Sequence, residues 1–156
     1  MLVFLDIDGV MVPAKGHRAP DLLKDGFAAF SANACHVLQS LVIEFDATIM
    51  LTTSHKSNYS LHEWETIFKT RGVQAKKIKS LPVNLNHLSR KEEISNWFNV
   101  NAINEDFVII DDDKSLNDLP NHLKDYLILT SSYVGLTENH LNEIRNIFNS
   151  RGEIHH

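Results

Sequence analysis

Short apolar runs alternate with stretches of helical periodicity along this chain. Runs rich in Val, Ile, Leu and Phe predict strands at 2–6, 47–51, 107–111 and 126–130. Between the first two strands, apolar residues recur every three or four positions, which predicts a helix at about 31–45 with one buried face. A helix, a strand and a loop are expected between Ser54 and Arg90, before a further helix that precedes the third run.

Capping signals mark the beginnings of two further helices. Ser60 with Glu63, and Ser89 with Glu92, each fit the capping box, in which two side chains bond each other's backbone N–H groups. Gly72 is expected to end the first of these helices, because glycine is favoured just past a helix C-terminus. The beginnings of both helices are therefore predicted from local sequence.

The alternation of strand and helix predicts an α/β domain whose parallel sheet is covered by helices on both faces. A chain of 156 residues with 43% hydrophobic content is long enough to bury one core of its own. A last helix is expected from Thr137 to about Gly152. We therefore predict a single domain over residues 1–152 and a C-terminal tail at 153–156, where two histidines resemble the end of a purification tag.

The composition also bears on the cellular setting. Cys35 is the only cysteine, so the chain cannot form an internal disulfide and nothing indicates an oxidising compartment. No apolar run approaches membrane-spanning length, and the N-terminus lacks a basic stretch followed by a long apolar segment. We therefore expect a cytoplasmic protein with no membrane partner.

The charge argues against broad, nonspecific affinity for nucleic acid. The formal net charge is −5, whereas nonspecific binding depends on cations that neutralise phosphates. One local basic stretch consists of Lys69, Arg71, Lys76, Lys77 and Lys79. It could guide a polyanionic substrate, although a solvated helix end and strand edge is the favoured alternative.

Two carboxylates stand where the first apolar run gives way to a glycine. Asp6 and Asp8 would share one face of the strand if its geometry persists that far. Two like charges so close are best kept ionised by a divalent cation, and hard oxygen ligands fit Mg²⁺ better than zinc. The alternative is an ordinary strand-ending turn, since Asp and Gly are common in turns.

Polar clusters follow two further apolar runs. The second run is followed by Thr52, Thr53, Ser54 and His55, and the third ends in Asp111, Asp112 and Asp113. Because ligands of open parallel sheets bind outside the carboxyl ends of the strands, all three clusters are expected at one site. The alternatives are that Thr52 only satisfies a strand end and that the acidic run is a helix N-cap, a role expected of Asp112 or Asp113.

Together these motifs resemble the haloacid dehalogenase (HAD) superfamily of phosphotransferases. The run from Asp6 to Val10 resembles its first motif, and Thr52 or Thr53 its second. The fourth motif falls on Asp111 and Asp112.

The third motif of this superfamily is a basic residue near a helix start. It falls on Arg90 or Lys91 in the helix that begins after Ser89. The position relative to Glu93 and Trp97 favours Arg90, and Lys91 stays open as the alternative.

The resemblance extends to a smaller branch and implies a fold. Residues 51–56 and 135–141 are similar to a branch that includes the phosphatase-like domains of multidomain RNA repair proteins. The superfamily implies a Rossmann-like three-layer sandwich with a mainly parallel central sheet. The segments 9–52 and 54–90 are mostly accounted for by ordinary elements, so we expect no cap domain over the site.

The resemblance also implies a role for each motif. Asp6 would be the nucleophile that forms an aspartyl phosphate, and Asp8 the general acid and base. The hydroxyl of Thr52 would contact a phosphate oxygen, while Arg90 or Lys91 would supply positive charge as the group transfers.

Metal and substrate ligands follow from the same resemblance. Mg²⁺ is the implied cofactor, and its expected ligands come from Asp6, Asp8, Asp111 and Asp112, with Asp8 acting through its carbonyl. Gly9 would let the backbone turn closely around the anion. Further contacts to the substrate are expected from Thr53, Ser54 and His55, although a solvated loop is the favoured alternative for His55.

A site without a cap suits a phosphate displayed on something large. We therefore predict a Mg²⁺-dependent phosphomonoester phosphatase, with a nucleic-acid end as the preferred partner among phosphorylated substrates. One alternative is a catalytically weak phosphate-binding or partner domain of a larger assembly. Another is a phosphotransferase that uses an acceptor other than water.

Overall fold

The computed structural model describes residues 1–16 and 18–154, which form a five-stranded sheet with helices packed against it. The strands are β1 Leu2–Leu5, β2 Thr48–Leu51, β3 Ile78–Ser80, β4 Phe107–Asp111 and β5 Leu127–Leu129. The α-helices are α1 Ala32–Phe45, α2 Leu61–Thr70, α3 Arg90–Val100, α4 Asn121–Lys124 and α5 Glu138–Ile154. Short 3₁₀ helices lie at Lys56–Asn58 and Lys114–Asp118.

All neighbouring strands of the sheet run parallel, in the order β3-β2-β1-β4-β5. The first strand is therefore central, and Leu5 pairs with Leu51 on one side and with Ile110 on the other. The chain builds outward from β1 to β3 and then returns to the other side of β1 with β4. Such a reversal of strand order leaves a crevice at the carboxyl ends of the two strands that flank it.

The sheet is covered on both faces, as the alternating pattern predicts. Side chains of Val3 and Leu5 face a core shared with α1, α2 and α5, whereas Leu2 and Phe4 face a smaller core shared with α3 and α4. Strand side chains alternate between faces, so β1, β2, β4 and β5 contribute to both cores, whereas β3 contributes Ile78 to the larger core alone. The Rossmann-like three-layer sandwich is thereby confirmed.

Local capping signals place the helices correctly. In both predicted capping boxes, the serine hydroxyl accepts from the N3 backbone N–H and the glutamate accepts from the serine N–H. Ser31 also caps α1, since its hydroxyl accepts from the N–H of Ala34. The predicted N-cap role of Asp113 is confirmed, because its carboxylate accepts from Ser115 at the start of a 3₁₀ helix.

The C-terminal boundary differs slightly from the prediction. The last helix continues through Gly152 to Ile154, so two residues of the predicted tail at 153–156 are helical. His155 and His156 lie outside the described residues. The extent of the single domain, 1–152, stays a prediction.

No cap domain interrupts the part of the chain that the structure describes. Between β1 and α1 the chain forms a loop with isolated bridges, and between α2 and α3 it forms only β3 and connecting loops. The carboxyl end of the sheet is consequently left without a folded cover.

Candidate functional site

Three carboxylates meet in the crevice between β1 and β4. Asp6 directly follows β1, and its backbone N–H donates to the carbonyl of Ile110 at 3.1 Å. Asp111 ends β4, and Asp112 follows it. One carboxylate oxygen from each of Asp6, Asp111 and Asp112 lies within 4.8 Å of the others. We refer to these three residues as the acidic cluster.

Arg90 contacts the acidic cluster from the first turn of α3. Its Nη1 lies 2.8 Å from Oδ2 of Asp111 and 3.2 Å from Oδ1 of Asp6. The same nitrogen is 3.4 Å from the hydroxyl oxygen of Thr52. Among the described residues, no ion pair or hydrogen bond joins Lys91 to the cluster. The structure thus brings Arg90, rather than Lys91, to the candidate site.

Burial and neighbouring negative charge raise pKa values in the acidic cluster. Burial, with the neighbouring charge of Asp111, raises the pKa of Asp6 to about 8, although Arg90 partly opposes this. Burial also raises the pKa of Asp111 above its ordinary value, again against the effect of Arg90. A single guanidinium therefore does not compensate fully for the carboxylates that surround it.

Thr52, Thr53 and Ser54, which we call the hydroxyl cluster, follow β2 and lie in different environments. Thr52 and Thr53 are both buried, but only Thr52 approaches Arg90. The hydroxyl oxygen of Thr53 instead accepts from the backbone N–H of His55 at 3.2 Å, which fastens the turn. Ser54 is exposed at the tip of that turn. The geometry favours Thr52 as the hydroxyl that faces a ligand.

The carboxylate of Asp8 lies outside the acidic cluster, and the condition under which positions 6 and 8 were expected to share one strand face is not met. The strand ends at Leu5, so the alternation of side chains does not continue to Asp8. Its carboxylate is 63% exposed, and its Oδ2 lies 2.8 Å from Nε2 of His55. The His55 ring is fixed edge-on against Phe27, with ring centroids 5.4 Å apart. His55 therefore orients the carboxylate of Asp8 at the edge of the site.

Gly9 packs closely against residues that follow β4 and β5. Its carbonyl accepts from the hydroxyl of Thr130 at 2.7 Å, and Asp112 accepts from Ser132 at 2.9 Å. Thr130 and Ser132 follow β5, so a fourth polar cluster at a strand end belongs to the site. Sequence reasoning missed it, although the rule that located the other three clusters applies there equally.

A substitution at Gly9 tests this close packing. Gly9 has φ +78°, and a Cβ there would lie 2.0 Å from Oδ2 of Asp112. We expect Gly9→Ala to lower the free energy of unfolding by about 2–3 kcal/mol, because backbone strain and displacement of Asp112 both contribute. Gly26→Ala is the matched control: its φ is +80° but no atom lies within 4 Å of its added Cβ. Urea unfolding should show a loss of only about 1 kcal/mol there, and equal losses would contradict the clash.

Two residues of the predicted basic stretch, Arg71 and Lys76, form ion pairs outside the acidic cluster. Arg71 is 2% exposed and binds Asp25 and the carbonyls of Phe27 and Ala28, so it fastens the loop before α1. Lys76 pairs with Asp46 at 2.8 Å, just after α1 and before β2. This position is at the amino ends of the strands, opposite the site. Arg71 and Lys76 are therefore engaged in ion pairs outside the acidic cluster.

A buried ion pair connects two of the motifs. Nζ of Lys56 lies 2.8 Å from Oε2 of Glu93, and the two side chains are only 3% and 10% exposed. Lys56 follows the hydroxyl cluster, whereas Glu93 lies one turn after Arg90 in α3. Removing one partner of a buried ion pair typically costs about 3–5 kcal/mol, because the other charge is left uncompensated. This contact therefore holds α3 against the turn after β2.

The acidic cluster fits a small divalent cation. All three side chains offer carboxylate oxygens, and the described residues bring no sulfur or histidine nitrogen into the cluster. Such hard donors suit Mg²⁺ better than zinc. The raised pKa values of Asp6 and Asp111 also indicate a shortage of positive charge that a cation would relieve.

Comparison with known proteins assigns the chain to a family. A sequence model of the family described as "HAD domain in Swiss Army Knife RNA repair proteins" matches residues 2–141. Because this match spans most of the chain, the protein belongs to that HAD family. No curated protein and no solved structure gave a match. Within the described residues, no helix is long and apolar enough to cross a membrane.

Proposed function

We propose that this domain is a Mg²⁺-dependent phosphomonoester phosphatase that forms an aspartyl phosphate on Asp6. The observation that supports the proposal is the convergence, at the carboxyl ends of neighbouring strands, of three carboxylates, a guanidinium and a hydroxyl. Asp111 and Asp112 lie beside Asp6, and Arg90 and Thr52 approach it from α3 and β2.

In the first half of the reaction, a carboxylate oxygen of Asp6 attacks phosphorus as the bond to the leaving oxygen breaks. Asp8 donates a proton to that leaving oxygen, so the alcohol departs neutral. Arg90 and the Thr52 hydroxyl donate hydrogen bonds to the phosphoryl oxygens as negative charge spreads over them.

In the second half, Asp8 removes a proton from a water molecule that attacks the same phosphorus. The bond from phosphorus to Asp6 breaks, which releases inorganic phosphate and regenerates the carboxylate. His55 would hold the exposed carboxylate of Asp8 in place through both halves.

The residues that would hold Mg²⁺ are Asp6, Asp111 and Asp112, with the backbone carbonyl of Asp8. When bound, the cation would favour the ionised form of Asp6 and offset its repulsion of the anionic phosphate.

A nucleic-acid end is the substrate we favour. The described residues form no cap over the site, so the group that carries the phosphate can extend into solvent. The family description also names RNA repair proteins, which supports a phosphorylated RNA end over an unrelated small metabolite.

A phosphatase screen with and without Mg²⁺ tests the proposal. We expect hydrolysis of an aryl phosphate that a chelator stops and added Mg²⁺ restores. Release of phosphate without a divalent cation would contradict the mechanism. If the protein binds vanadate and Mg²⁺ but turns over neither nucleotides, sugar phosphates, phosphopeptides nor phosphorylated oligonucleotides, it is a phosphate-binding domain. If added alcohols become phosphorylated in preference to water, it is a phosphotransferase.

A further inference from the structure

A cleft of about 280 Å³ opens beside the acidic cluster, next to the loop that follows β1. Asp8, Asp112 and Ser132 line it from the site, while Lys15 and Arg18 line it from the loop. The cleft therefore connects the proposed general acid with two cations to which neither the sequence motifs nor the family match gives a role.

The two cations lie together and are accessible. Lys15 and Arg18 face each other in a short antiparallel bridge, in which the N–H of Arg18 donates to the carbonyl of Lys15 at 3.3 Å. Residues directly opposite in such a bridge project their side chains to the same face. Nζ of Lys15 is 3.3 Å from Oδ2 of Asp21, but both side chains are exposed and such a pair contributes little. Among residues 1–16 and 18–154, no carboxylate forms an ion pair with Arg18.

The chemistry of the site determines which part of a substrate enters this cleft. Attack by Asp6 and departure of the leaving oxygen are roughly in line, so the leaving group lies on the side of the phosphorus away from Asp6. Asp8, which protonates that oxygen, lines the cleft. The alcohol portion of the ester therefore extends from Asp8 toward Lys15 and Arg18.

Charge determines what kind of alcohol these cations select. The site concentrates carboxylates in a chain of net charge −5, so it repels a polyanion unless local cations compensate. A neutral alcohol gains nothing from Lys15 or Arg18, whereas a phosphate oxygen accepts strong, charge-assisted hydrogen bonds from both. A guanidinium without an ion-pair partner is well suited to this contact.

We infer that Lys15 and Arg18 form a second phosphate subsite, which binds the phosphodiester adjacent to a terminal phosphomonoester of a nucleic-acid strand. This inference rests on the proposed function and specifies its substrate class. The smallest good substrate is then a terminally phosphorylated dinucleotide, because a mononucleotide lacks the second phosphate.

Dinucleotides with a charged or a neutral linkage test the subsite directly. We would compare kcat/KM for a terminally phosphorylated dinucleotide with that for the same molecule carrying a methylphosphonate linkage, in both 5′- and 3′-phosphorylated isomers. The charged linkage should be favoured about tenfold in the wild-type protein for at least one isomer. In Lys15→Ala/Arg18→Ala the ratio should fall to about one, and higher salt should reduce the wild-type ratio.

Lys76→Ala/Lys77→Ala provides the matched control, because it removes the same charge at the opposite edge of the sheet and should retain the wild-type ratio. A neutral linkage that performs as well as the charged one in wild type would overturn the subsite without using any variant. A ratio that survives in Lys15→Ala/Arg18→Ala, or one that falls equally in the control, would also overturn it.

Equilibrium binding separates failure of the subsite from failure of catalysis. The full-length Asp6→Asn variant, which lacks the proposed nucleophile, should bind the dinucleotide about tenfold more tightly than its methylphosphonate analogue. If wild type hydrolyses nothing while this preference persists, the phosphatase proposal fails and the subsite stands. If both dinucleotides bind equally, the subsite fails whether or not the protein is a phosphatase.

Discussion

Asp6→Asn is expected to lower hydrolysis of an aryl phosphate by about 10³-fold or more, because an amide cannot form the acyl phosphate. Initial rates at saturating Mg²⁺ measure this loss, and mass spectrometry of acid-quenched protein should find a phosphoryl group on wild type only. Asp113→Asn is the matched control. Asp113 adjoins the acidic cluster, but its carboxylate caps a 3₁₀ helix, a role that asparagine also fills. Undiminished turnover by folded Asp6→Asn would rule out the mechanism.

The same substitution should stabilise the metal-free protein at alkaline pH. Burial raises the pKa of Asp6 from its ordinary value of 3.8 to about 8 in the folded state, so ionisation costs folding free energy as pH rises through this window. Asparagine does not ionise. The gain in unfolding free energy of Asp6→Asn over wild type should therefore be small at pH 4 and complete above pH 8. Thermal unfolding in the presence of a chelator measures the difference. An Asp6→Asn midpoint that follows wild type at every pH would contradict the raised pKa.

Arg90→Ala should lower turnover by about 10²- to 10³-fold, whereas Lys91→Ala should change it by less than about twofold. Only Arg90 places a guanidinium nitrogen against Asp6, Asp111 and Thr52. Arg90→Lys should recover part of the activity, since it retains the charge but loses the planar fork. Steady-state rates at saturating Mg²⁺ provide the comparison.

Folding must be controlled in the Arg90 series, because Asp6 and Asp111 would face each other without their cation. Thermal unfolding with Mg²⁺ shows whether the alanine variant is folded under the assay conditions. If Lys91→Ala is the more damaging change in folded protein, the third motif belongs to Lys91. If both changes have equally small effects, neither residue supplies the charge.

The fold was predictable because its signals are local. Apolar runs located four of the five strands to within about one residue, and reciprocal serine and glutamate pairs located the first residues of α2 and α3. The parallel sheet then brought the strand ends together, so Asp6, Thr52 and Asp111 were identified from a general rule of such sheets. The extent of α5 was missed because no residue after Gly152 signals a sharp end.

The contacts that were not predictable depend on residues far apart in sequence. The direction of Asp8 is set by the early end of β1 and by His55, 47 positions away. Lys56 lies in a polar stretch of the sequence, yet its side chain is buried because its charge is paired with that of Glu93. The loop that carries Lys15 and Arg18 has no periodicity, so only the folded chain shows that it borders the site.

The position of Trp64 makes the turn after β2 observable by fluorescence. The chain has two tryptophans: Trp64 is fully buried and packs edge-on against Phe27 and Tyr59, while Trp97 packs edge-on against Phe4 on the other face of the sheet. The indole N–H of Trp64 donates to the carbonyl of Lys56 at 3.2 Å, just after the hydroxyl cluster. In Trp97→Phe, the remaining fluorophore is therefore attached by a hydrogen bond to the segment that carries Thr52. Its emission would follow anion binding there without a label, and Trp64→Phe would give the corresponding signal for the α3 layer.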